Sequence, residues 1–209
     1  MGRYKGPACR KCRREGMKLF LKSTRCNMSK CPIEMGRPVP GMHGQRRARK
    51  MSDYGVQLRE KQRLRSQYWM REGQFRVFFE RALQRRGVTG EQLLQSLESR
   101  LDSVVYRLGF ATSRRAARQF VAHNHVLMNG KRASLPSMIV PAGARIQVRN
   151  AKRSRELAAR SMEITEGRQI PVWMSRDARS FEGEFIRIPT RDEIAPIVNE
   201  QLIVELYSK

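Results

Sequence analysis

Two constellations in this sequence have the residue types and spacing for chemistry. The first is Cys9, Cys12, Cys26 and Cys31, spaced C-x2-C, thirteen residues, then C-x4-C. Each close pair can reach one ion, and the intervening loop can fold back to bring the pairs together. Arg10, Lys11, Arg13 and Arg14 beside the first pair favour thiolates. Four thiolates in a tetrahedron suit zinc, held as one structural ion with no open position for catalysis. The same ligands accept an iron–sulfur cluster, and spacing does not separate the two. Two disulfides are the competing use, but nothing in the sequence suggests secretion.

The second constellation is cationic. In the run SRRAARQFVAHNHVLMNGKR, Arg114, Arg115 and Arg118 fall within one arc at about 100° per residue. Ala116, Ala117, Phe120 and Val121 fall mostly opposite, so an apolar face can pack while three guanidinium groups point away. Cations at a helix start oppose its dipole, a conflict that a polyanion relieves. Free N–H groups, the Ser113 hydroxyl and planar Arg forks suit phosphate oxygens. Asn129-Gly130 signals a tight hairpin that displays Lys131 and Arg132 near its tip. Further upstream, Arg46, Arg47, Arg49 and Lys50 follow the Pro- and Gly-rich stretch 36–44, which reads as an extended arm. A solvated basic linker is the plainer reading of that run, and its neighbours favour an RNA-threading arm. His43 has no partner in sequence and receives no catalytic role.

The elements that position these groups are legible in outline. Thr89 to Gln92 is a capping-box signature, and Leu94, Leu97, Leu101, Val104, Val105 and Leu108 continue at helical spacing to a stop at Gly109. Thr112-Ser113 opens the arginine helix. Ile146 and Val148 alternate with Arg145, Gln147 and Arg149 as a half-buried strand. Upstream, Ser52-Asp53 caps a helix through Tyr68, and Phe75, Phe78, Phe79, Ala82 and Leu83 mark a second. Their aromatic rings can stack on bases, but at helical spacing they read as core. Downstream, Ser154 to Gly167 reads as a helix, Trp173 as an apolar anchor in a loop, and 185–188 as a strand. Thr190 to Glu193 repeats the capping-box pattern before a short helix cut by Pro196, and Leu202 to Tyr207 reads as a strand.

Net charge bounds the partner. The chain carries 43 Lys and Arg against 19 Asp and Glu, a net +24 in 209 residues. The excess is +13 in residues 1–50, +4 in 51–100, +7 in 101–150 and zero in 151–209. Blocks of this kind mark a polyanion footprint followed by a neutral, protein-facing tail. No apolar run is long enough to span a bilayer, and the start lacks a signal-peptide pattern, so a cytoplasmic protein is expected. No Gly-rich phosphate loop, paired carboxylates or Ser-His-Asp arrangement points to an enzyme.

Two helices followed by small strands around the arginine run resemble the RNA-binding domain named after ribosomal small-subunit protein four. With MGRYKGP, the four cysteines, PGMHGQRRARKMSDYG, LREKQRLR and the terminal NEQLIVELYSK, the likeness extends end to end to bacterial-type members of that family. The resemblance implies an α+β fold. A four-cysteine metal-binding module and basic arm (1–50) would precede a helical rRNA-binding domain (51–98). The inserted RNA-binding domain (99–162) and a segment returning to the N-terminal domain (163–209) would follow. It implies a structural constituent of the small ribosomal subunit that binds 16S rRNA early in assembly. Proteins five and three and messenger RNA near where it enters would be its neighbours, with a contribution to translational accuracy through protein five. An RNA-modifying enzyme or a regulator carrying the same module is the alternative, since the module occurs in other proteins.

Overall fold

The protein is described by a computed structural model covering residues 4, 6–44, 50–194 and 198–208. Helices plus a small antiparallel sheet make it α+β. The chain forms two compact units, Met1–Gln92 with Pro196–Lys209, and Leu93–Ala195. The expected returning segment 163–209 is therefore divided between them.

In the first unit, α1 (Ala8–Glu15) precedes α2 (Asp53–Gln67) and α3 (Glu72–Leu83). Ser52 caps α2 by accepting from the Gly55 N–H, as its position predicts. Phe75, Phe78, Phe79 and Tyr68 are buried, so the aromatic pattern is core; Leu83 is exposed. The C-terminal run is α8 (Glu200–Tyr207), not the expected strand. Asn199 accepts from the Gln201 N–H, and Glu200 adds a favourable charge in the first turn. Ile203 and Tyr207, four residues apart, then share a face. Ile203 is fully buried, and the Tyr207 ring lies 4.5 Å from that of Phe79 while its hydroxyl donates to Glu72 across 3.0 Å. Gln57 donates to Glu205 across 2.9 Å, and the Asn199 N–H to Glu60 across 3.0 Å, tying α8 to α2. A short apolar run is ambiguous by periodicity; here a helical partner decides it.

The second unit begins within α4 (Thr89–Glu98), followed by α5 (Leu101–Arg107) and α6 (Arg114–Ala122). The single helix expected from Thr89 to Gly109 is broken at Ser99-Arg100. Leu101 and Asp102 N–H groups donate to the Met138 and Pro136 carbonyls, and Val140 N–H to Ser99 O. The 136–140 loop thus supplies the acceptors that a continuous helix would have supplied itself. Gly109 does end α5, at φ +81°, and a Cβ there would collide with the Arg176 guanidinium, which donates to Leu108 O.

Next come β1 (Val126–Met128), β2 (Lys131–Arg132), β3 (Ala144–Val148), α7 (Lys152–Ile164), β4 (Met174–Asp177) and β5 (Glu182–Phe185). Among the described residues they form one antiparallel sheet ordered β2-β1-β3-β5-β4. Asn129 and Gly130 both take positive φ, the geometry of a two-residue hairpin. Ala144, Ile146 and Val148 face inward while Arg145 is exposed. The expected strand at 185–188 is displaced upstream: Glu182–Phe185 pairs with both β3 and β4, while Ile186 and Ile188 are exposed. Gly183 masked that strand in the sequence, yet its missing side chain is what admits Leu108 against the sheet. Trp173 is buried, as its anchor role predicts. The expected helix at Thr190 is a turn, in which the Thr190 N–H donates to Glu193. Pro196 lies outside the described residues.

Candidate nucleic-acid interface and thiol cluster

The arginine helix differs from its expected form. Ser113 caps it by accepting from the Ala116 N–H, and Ala117, Phe120 and Val121 are buried. Arg114, however, is turned inward at 8% exposure. It donates to Glu98 across 3.2 Å and lies 4.7 Å from the Tyr106 ring. Arg107 grips the same carboxylate through two bonds, 2.9 and 2.7 Å long. Arg118 donates to Asp102 across 3.4 Å, and Asp102 also takes a two-pronged grip from Arg100, which is fully buried. The shared outward face is corrected accordingly: only Arg115 of the three is exposed. Periodicity assigns faces relative to apolar neighbours and cannot see Glu98 and Asp102 arriving from other elements.

Each buried carboxylate holds two guanidinium groups, so each cluster keeps a net positive charge beneath the surface. Arg168 joins from below α5, its guanidinium 4.2 Å from the Tyr106 ring and donating to Tyr106 O and Thr112 O. Burial, partly offset by Tyr106 and reinforced by Arg114 and Arg107, holds its pKa below the usual arginine value. Lys131 and Arg132 are exposed at the hairpin. Arg115 of α6 and Arg145 of β3 are exposed as well.

In the first unit a second basic surface emerges that spacing did not single out. Arg10, Lys11 and Arg14 of α1 and Arg59 and Arg65 of α2 line one open hollow of about 380 Å³, with Tyr4 at its edge. Lys11 Nζ lies 5.0 Å from the Tyr4 ring and 4.7 Å from the Trp69 ring. Burial, then repulsion from Arg65, brings its pKa down to about 8. The signal was in the sequence as the RKCRR run, read there only as support for thiolates. Glu15 is engaged by Arg59 and Arg63, leaving the hollow positive. Lys50 is exposed; Arg46, Arg47 and Arg49 lie outside the described residues.

The four cysteines are free thiols, and all of them line one cavity of about 10 Å³ with Lys18, Lys22 and Arg25. Cys9 and Cys12 come from α1, Cys26 from a 3-10 turn at Thr24–Cys26. Cys12 packs with Ala8, Leu19 and Leu21 in a small apolar cluster. The Lys22 N–H donates to Cys26 Sγ across 3.4 Å. Burial raises the Cys12 and Cys26 thiols, and the neighbouring sulfurs raise them further. Among the described residues no three His, Cys, Asp or Glu side chains are drawn together closely enough to hold an ion as they stand. The donor set and the single cavity still fit a soft metal: four sulfurs, an apolar backing, and cations that offset thiolate charge.

Residues 3–98 match the family described as Ribosomal protein S4/S9 N-terminal domain, and residues 99–146 match the S4 domain. Over all 209 residues of both chains, the protein is 53% identical to small ribosomal subunit protein uS4 of Thermus thermophilus. It is 53% identical to the uS4 protein of Acidithiobacillus ferrooxidans and 50% to that of Syntrophus aciditrophicus, again over the full length of each. Family matches and full-length identity agree with the helical first unit, the α5–α6 pair and the basic hairpin, and the chain belongs to the uS4 family of ribosomal proteins.

Proposed function

We propose that the protein is a structural component of the small ribosomal subunit, resident there in the cytoplasm, that binds 16S rRNA early in assembly. The observation that carries this is full-length identity of 53% to a protein named for that subunit. Two cationic surfaces support it, one on α1 and α2, one at Arg115 and the β1–β2 hairpin. The family is structural and not enzymatic. Within this reading, the C-terminal segment 163–209 faces proteins, with small-subunit proteins five and three as neighbours of the chain, incoming messenger RNA nearby and translational accuracy as the consequence.

The four cysteines hold one structural zinc ion in the same reading. That all four thiols line one cavity supports a single shared site, with an iron–sulfur cluster as the alternative occupant. Bound zinc would supply a cross-link between α1 and the 26–31 loop, and so fix where the α1 cations stand.

The test is cosedimentation of the native protein with small subunits, joined to filter binding of purified protein to 16S rRNA. Steep loss of affinity with salt is expected. Protein found free of small subunits, with salt-insensitive rRNA binding, would overturn the proposal.

A further inference from the structure

Between α6 and α7 lies an open cleft of about 630 Å³, inside the roughly 300–1,000 Å³ range of small-ligand sites. Phe120 and Leu157 make its floor apolar, while Gln119, His123, His125 and Arg153 supply polar groups. Among the described residues that line it there is no carboxylate. The His125 ring stacks on Phe120 with centroids 4.9 Å apart and planes 28° from parallel. His125 Nδ1 lies 2.8 Å from the Ser154 hydroxyl, which fixes the ring's orientation. The ring of His123 stands 6.2 Å away.

The stacked Phe120 and His125 rings in the lining suit a planar ligand. Arg153 on the rim calls for an anion on the same molecule. We propose that this cleft takes one unstacked nucleotide of an RNA strand, its base against the Phe120–His125 pair and its phosphate on Arg153 and His123. The inference rests on the RNA-binding reading above and adds to it a place where a base, not only backbone charge, is held. Arg149 and Lys152 extend the positive charge along the chain past the cleft. That reach suits a strand better than a free mononucleotide. An acidic peptide would satisfy the cations and bring no planar group to the rings. Gln119 adds a donor and an acceptor for a base edge. Burial, then His123, Arg153 and Arg149, hold the His125 pKa below its ordinary value, so the ring is neutral near pH 7 while its surroundings are positive.

The chain has only three histidines, so ring signals in a nuclear magnetic resonance spectrum of the full-length protein report on the cleft directly. His43, in the 36–44 arm, does not line the cleft and reports binding elsewhere on the chain. The probes are a short oligoadenylate and an abasic phosphodiester of the same length. The oligoadenylate should move both the His123 and His125 signals, and the abasic strand that of His123 alone, because only a base reaches the Phe120–His125 pair. Leu157→Trp, at a half-exposed position, fills the cleft and should weaken oligoadenylate binding about tenfold, as loss of one stacked base does, with abasic binding unchanged. Equal movement by both strands means that only phosphate is read and overturns the proposal. Silence from both, with 16S rRNA still bound, removes the nucleotide cleft and leaves the RNA reading standing. Silence together with lost rRNA binding removes both. Movement by an acidic peptide alone reassigns the cleft to protein and equally overturns it.

Discussion

Arg114 donates to Glu98 across 3.2 Å, at a carboxylate with no solvent exposure that Arg107 already holds through two bonds. The guanidinium of the helix meant to meet RNA is thus a structural group first. Removing the acid leaves two cations without their anchor. Glu98→Gln should lower unfolding free energy by about 3–5 kcal/mol, the cost of stranding a buried charge. Urea denaturation measures it, and a loss below about 1 kcal/mol would show that the cluster is not holding α4, α5 and α6 together.

The outward cations should behave differently. Arg115→Gln, Lys131→Gln and Arg132→Gln change exposed residues and should leave stability nearly unchanged. Each should reduce the slope of log affinity against log salt for 16S rRNA by roughly 0.7–0.9 if it meets one phosphate. Arg114→Gln should instead lower stability. A triple variant whose salt slope matches the parent's would remove the hairpin and Arg115 from the interface.

His125 makes stability depend on pH. Its folded pKa is held below the ordinary 6.5 by burial and by His123, Arg153 and Arg149, with Phe120 stacked on it and Ser154 hydrogen-bonded. The unfolded chain therefore takes up the proton first as pH falls. The contribution is complete above about 6.5 and is lost as pH drops through the folded pKa. His125→Gln should flatten the fall in melting temperature between neutral and mildly acidic pH. An unchanged pH profile in the variant would place the dependence elsewhere.

The cysteines give an elemental prediction. Protein purified anaerobically should carry about one zinc per chain and no colour. Chelation should loosen α1 and the 17–35 loop while the second unit keeps its sheet, because its core of Leu101, Val105, Phe120, Ile146 and Phe185 contains none of the four cysteines. Hydrogen exchange resolves the two regions. Iron with sulfide would keep the site and replace the metal, whereas four metal-free thiols would remove the site.

The C-terminal helix should be essential to the first unit. Ile203→Ala should cost about 2–5 kcal/mol, as truncation of a fully buried side chain does. Asn199→Ala should cost about 1 kcal/mol through the lost cap. Chemical denaturation checks both, and a neutral Ile203 variant would deny that α8 completes this core.

The sequence by itself determined whatever depends on neighbours along the chain. Ser52 and Ser113 announced their caps, Asn129-Gly130 its hairpin, Phe75 and Phe79 their core face, and the four cysteines a pair of close couples. It also determined the charge gradient, and with it the class of partner. What only tertiary structure decided depends on groups far apart in the chain. Leu202–Tyr207 is helical because α2 and α3 offer Ile203 and Tyr207 a face. The helix from Thr89 breaks at Arg100 because the 136–140 loop offers carbonyls to the freed N–H groups. Gly183 lies in a strand because Leu108 needs the space. Arg114 and Arg118 turn inward because Glu98 and Asp102 wait there, whereas Arg115, one residue along and about 100° around the helix, stays out. Local pattern selects which residues can share a face; only the partners brought to that face decide whether a charge meets solvent or another charge.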